Sequence, residues 1–82
     1  MSYTIFRTSA FKKAYKKLSV LDKEHLFEIV NKLALGEVLD KKYKDRLLAG
    51  DFKGCRECHI RQELLLIYRI KAQEIELVLV EE

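Results

Sequence analysis

The apolar residues of this chain change their spacing once, at Gly54, and that change divides it into a helical half and a strand half. Before Gly54, Phe11, Ala14, Tyr15 and Leu18 recur at the three- and four-residue steps of a buried helix face, and so do Leu26, Ile29, Val30 and Leu33. After it, Cys55 to Arg61, Leu64 to Lys71 and Ile75 to Val80 are strand-length segments separated by polar pairs or triplets, the pattern of an antiparallel meander. Tyr3 to Arg7 is rich in β-branched and aromatic residues and reads as a short first strand. Thr8 or Ser9 can cap the first helix, Ser19 or Asp22 can open the second, and Gly36 suits the left-handed position just past its end. The few residues between the helices predict an antiparallel hairpin. The order β-α-α-β-β-β predicts an α+β fold, with the hairpin on one face of a mostly antiparallel sheet and the other face left for solvent or a ligand. Residues 37–53 show no period and are expected to form a long loop that is functional or partly structured.

With 82 residues, the chain is expected to be a single domain, 1–82, whose small core leaves it marginally stable. It has no run of about 18 apolar residues and no signal-peptide core, so the expected location is the cytoplasm, away from membranes. All 16 Lys and Arg precede residue 73, whereas Glu74, Glu76, Glu81 and Glu82 lie beyond it. A basic body with an acidic tail points to a polyanionic partner, either RNA, DNA or an acidic protein segment.

Cys55-Arg56-Glu57-Cys58-His59 satisfies the C-x-x-C-H pattern of c-type haem attachment. In a strand, however, positions three apart point to opposite faces and lie about 10 Å apart. That is too far for a disulfide, whose Cα atoms stay within about 7 Å, or for sharing one zinc ion. Two ordinary thiols are expected. Strict alternation places Cys55, Glu57, His59 and Arg61 on one face and Arg56, Cys58 and Ile60 on the other. The acid, imidazole and guanidinium of the first row either form a solvated face or hold an RNA phosphate while the imidazole moves protons. His25, one turn after Leu21, is expected at the rim of the second helix and outside the chemistry. The lysines of the first helix either contact phosphates or are simply solvated. Tyr43 and Phe52 can stack on bases, although Phe52 is better suited to anchoring beneath the sheet.

The run Leu48-Ala49-Gly50-Asp51-Phe52-Lys53-Gly54-Cys55-Arg56-Glu57-Cys58-His59-Ile60, followed by Leu65-Leu66-Ile67-Tyr68-Arg69-Ile70, resembles the YafQ-like branch of the RelE family. Phe11-Lys12-Lys13 with Tyr15-Lys16-Lys17, and Leu39-Asp40 with Tyr43-Lys44-Asp45, also look like that family's first helix and loop. The resemblance implies the toxin of a bacterial toxin-antitoxin pair, an endoribonuclease that cleaves mRNA on the ribosome with no metal or other cofactor. Its implied partners are a cognate antitoxin, the ribosome and mRNA. It sets His59 at a catalytic histidine and Glu63 at the acid of the following turn, while Arg46 stands where the family has a loop histidine. Arg46 and Arg61 are then expected as phosphate clamps, and Lys53, Arg56, Lys12, Lys13 and Lys16 as further RNA contacts. Where family members continue with an arginine and a Gly-Ser/Thr-His segment, this sequence reads Val80-Glu81-Glu82. That departure implies weakened cleavage, and its alternative is a catalytically silent module of the same fold that binds an antitoxin or RNA.

Overall fold

The computed structural model describes residues 2–50 and 54–81. Phe52 and Lys53 lie outside the described residues. The chain runs through β1 (Thr4–Arg7), α1 (Ser9–Tyr15), α2 (Val20–Ala34), a 3-10 turn (Lys41–Tyr43), β2 (Arg46–Leu47), β3 (Arg56–Arg61), β4 (Leu64–Lys71) and β5 (Glu74–Glu81). One five-stranded sheet has the order β1-β5-β4-β3-β2. Its pairs are antiparallel except for β1 with β5, which is parallel. The expected α+β architecture is therefore present, and the unpatterned loop contributes a 3-10 turn and a two-residue edge strand.

The helix ends follow local chemistry. The Thr8 hydroxyl accepts from the Phe11 amide at 3.1 Å and donates to the Leu77 carbonyl at 2.7 Å, so the cap of α1 also fixes that helix to β5. The Ser19 hydroxyl accepts from the Asp22 amide at 3.1 Å and opens α2. At its far end Gly36 takes φ 78°. Its amide reaches the Leu33 carbonyl while the Glu37 amide reaches that of Lys32, which satisfies two of the free carbonyls of the last turn.

Phe11, Leu26, Ile29, Val30 and Leu33 of the helices pack onto Cys58, Ile60, Leu64, Leu66, Tyr68, Ile75, Leu77 and Leu79 of the sheet in one core. The period-2 pattern of β4 and β5 explains why these positions share a face. The opposite face carries Leu65, Ile67, Val78 and Val80, together with ion pairs from Arg46 to Glu57 and from Arg69 to Glu76.

The register corrects one expectation on β3. His59 pairs with Leu65, but Arg61 pairs with Leu64, so a bulge at Ile60 interrupts the alternation. Arg61 is thereby carried to the helix side, away from Glu57. There its Nε donates to Asp22 Oδ2 at 3.0 Å and its terminal nitrogen to Glu81 Oε2 at 2.6 Å.

Candidate active site

Among the described residues, β3 loses its neighbour on the β2 side beyond Glu57, because β2 pairs only with Arg56 and Glu57. Against this free stretch of edge lies a hollow of about 630 Å³, walled by α2, the 3-10 turn and the end of β3. β3 contributes His59 and Arg61, α2 contributes His25 and Glu28, and the turn contributes Lys42 and Tyr43, with Lys44 just after it. Lys44 sits at φ 51°, a left-handed position that ends the turn and redirects the chain toward β2. Lys42 Nζ lies over the Tyr43 ring, 5.2 Å from its centre. Lys42, Lys44 and Arg61 stand against one lining carboxylate, Glu28, and Arg61 is itself paired with Asp22 and Glu81.

The turn is held in place from behind. Asp45 accepts from the Tyr68 hydroxyl and, at 2.9 Å, from Arg56 Nε. Burial first and the bond to Asp45 second push the Tyr68 phenol above its ordinary range, and Asp45 likewise raises the Arg56 guanidinium. Asp22, and after it Glu81, raise the Arg61 guanidinium in the same way.

Of the residues singled out by sequence, the hollow brings together His59, Arg61 and Tyr43. Arg46 stands on β2, where its Nε donates to the buried Glu57 at 2.8 Å. Glu63 is exposed on the turn between β3 and β4, outside the hollow. Arg56 serves Asp45, and Lys12 and Lys16 line a separate groove between α1 and α2. Lys13 is exposed on α1. Sequence reasoning missed Lys42, Lys44 and Glu28 and left His25 at the rim. Only the spacing of His25 from Asp22, three residues or nearly one turn, could have signalled it, and then only with the Asp22–Arg61 bond known.

A helical hairpin on a mostly antiparallel sheet, with a histidine in a cation-lined hollow beside β3, makes this a small α+β domain with one candidate active site. Residues 3–81 match the YafQ family, described as bacterial toxins of type II toxin-antitoxin systems, and the chain belongs to that family. It is 41% identical over 46 residues to a putative toxin YafQ of Haemophilus influenzae, a match spanning 56% of this chain and 41% of that relative's length. A copper-bound mutant toxin from Helicobacter pylori is 31% identical, with 100% of this chain and 96% of that one aligned at a TM-score of 0.88. The Escherichia coli DinJ–YafQ complex superposes at a TM-score of 0.79, covering 96% of this chain and 92% of that one at 22% identity, which shows the shared fold.

Proposed function

We propose that this toxin is a cytoplasmic endoribonuclease that cleaves mRNA on the ribosome and is restrained by an antitoxin. The observation that carries this reading is His59 in the cation-lined hollow of a chain that matches the YafQ family from residue 3 to residue 81. Cleavage by the RNA's own 2′-hydroxyl forms a bond from O2′ to phosphorus and breaks the bond from phosphorus to O5′. One proton leaves O2′ and one reaches O5′, so a base and an acid are needed, together with positive charge near the phosphorane. His59 is one proton-transfer group, and Lys42 and Lys44 supply charge. Arg61 lines the hollow with both carboxylate partners engaged, so it contributes to phosphate only by sharing its remaining donors. Glu63, exposed on the adjoining turn, is available to orient an imidazole from the rim. Arg46 and Arg56 lie outside the hollow, where they suit RNA backbone contacts.

The Helicobacter pylori relative holds copper. Among the described residues of this chain, no three His, Cys, Asp or Glu side chains gather as a metal-binding set. The Escherichia coli YafQ was solved with DinJ, and an equivalent partner has a fitting surface on this chain. The groove between α1 and α2 has Phe11, Leu26 and Val30 for a floor and Arg7, Lys12, Lys16 and Lys23 around it. Charge complementarity favours an acidic amphipathic segment there.

A ribosome-programmed cleavage assay tests the reading. Wild-type protein should cut mRNA only during translation, and His59→Ala should slow the reaction by about 10²–10⁴-fold. Absence of cleavage by the wild type, with RNA or antitoxin binding intact, would instead establish the silent binding module.

A further inference from the structure

The chain has two histidines, at positions 25 and 59, and both line the same hollow. One contact joins the two elements that carry them. Asp22, in the first turn of α2, bonds Arg61 at 3.0 Å and so fixes the start of that helix against the end of β3. His25 lies three residues further on, on the same side of the helix, and is thus presented toward β3, where His59 stands two residues before Arg61. Glu28 continues that side by another turn, while Lys42, Tyr43 and Lys44 close the hollow opposite.

We infer that His25 is the second proton-transfer group of this site, working as a pair with His59 on the scissile phosphodiester. The inference rests on the endoribonuclease reading above and completes it. Two protons move in the reaction, and His59 accounts for one. Arg61 cannot exchange the other, because a guanidinium keeps its proton throughout the accessible pH range. An imidazole is suited to either role near neutral pH. His25 is also exposed, so its role in the fold is small and its removal reads out on the chemistry.

The test compares wild type, His25→Ala, His25→Gln and Glu28→Gln in ribosome-programmed cleavage as a function of pH. Thermal melting should show all four chains folded alike. The wild-type profile should be bell-shaped. Both His25 variants should lose about 10²–10⁴-fold in rate and flatten one limb of the bell, whereas Glu28→Gln should keep both limbs. Binding gives a second readout, using an oligoribonucleotide with a 2′-deoxy residue at the cleavage position. Its addition should shift the imidazole NMR signals of His25 and His59 together. Cleavage by His25→Ala at the wild-type rate with both limbs intact would overturn the pairing and leave the endoribonuclease reading standing. Loss of a limb in Glu28→Gln alone, or a shift confined to His59, would also overturn it. A wild type that cleaves nothing would remove both readings together.

Discussion

At the residue scale, Cys58 shows how position on a strand decides what a side chain does. It belongs to an apparent haem motif, yet it lies in the core at 0% exposure, while Cys55 is half-buried and both are free thiols. Burial pushes the Cys58 thiol up to about 12, with Asp45 and then Glu57 adding to the effect. In the unfolded chain a cysteine ionises near about pH 8.5, so between these values the native state holds a proton that the unfolded state has released. Stability is therefore fully present below about pH 8.5 and falls toward pH 12, by up to about 1.4 kcal/mol per pH unit from this thiol. Tyr68 acts in the same direction, its phenol raised first by burial and then by Asp45. Urea unfolding between about pH 8 and pH 11 should show this decline. In Cys58→Ala the slope should be shallower, although the cavity lowers stability at neutral pH. An unchanged slope would remove the thiol from the alkaline transition. Thiol counting in denaturant should find two free groups, with Cys55 the faster to react in the native protein.

The clearest case at the element scale is the segment from Lys41 to Leu47, which has few apolar anchors and depends on Asp45. Its carboxylate joins the segment to Arg56 of β3 and Tyr68 of β4. Asp45→Ala would leave a buried phenol and a guanidinium without their acceptor and should destabilise the chain by about 1–3 kcal/mol. Because the same segment carries Lys42 and Lys44 into the hollow, RNA affinity should fall as well. Tyr68→Phe, which removes one donor and keeps the packing, should affect stability less. Chemical denaturation of the two variants decides between them, and equal losses would show that Asp45 acts through Tyr68 alone. This segment also marks where sequence stopped being informative. The strand-length runs from Leu64 and from Ile75, each bounded by polar pairs or triplets, announced β4 and β5. Thr8, Ser19 and Gly36 announced the helix ends because each satisfies orphan backbone groups. A two-residue strand has no period to read, and the 3-10 turn is held by contacts distant in sequence. The bulge at Ile60 was equally silent, since one extra residue leaves the composition of β3 unchanged while moving Arg61 across the sheet. Of the proposed site, His59 was legible in the sequence, whereas Lys42 and Lys44 were not, nor was His25, whose element meets β3 through a bond spanning 39 residues.

For the molecule as a whole, the two proposed surfaces lie apart: the hollow at the β3 edge and the groove between the helices share no lining residue. An acidic segment in the groove need not cover His59 to alter the behaviour of the chain, because a domain this small gains appreciably from any native-state partner. Phe27, at 65% exposure, and Tyr15 flank the apolar floor and offer contact area for such a segment. At a free partner concentration of 100 Kd the stabilisation is about 2.7 kcal/mol, which for a domain of this size raises Tm by roughly 10–20 °C. The product of the neighbouring gene is the partner to test by co-purification and thermal shift. Reversing charge with Lys12→Glu and Lys16→Glu together should weaken binding, and so should raising the salt, since exposed charges are screened over about 8 Å at physiological ionic strength. The apolar part of the contact should survive salt, so Phe27→Ala should reduce the thermal shift at high and low ionic strength alike. A shift that ignores all three substitutions would place the partner elsewhere on the molecule, with the open sheet face around Ile67 and Val78 the next surface to test.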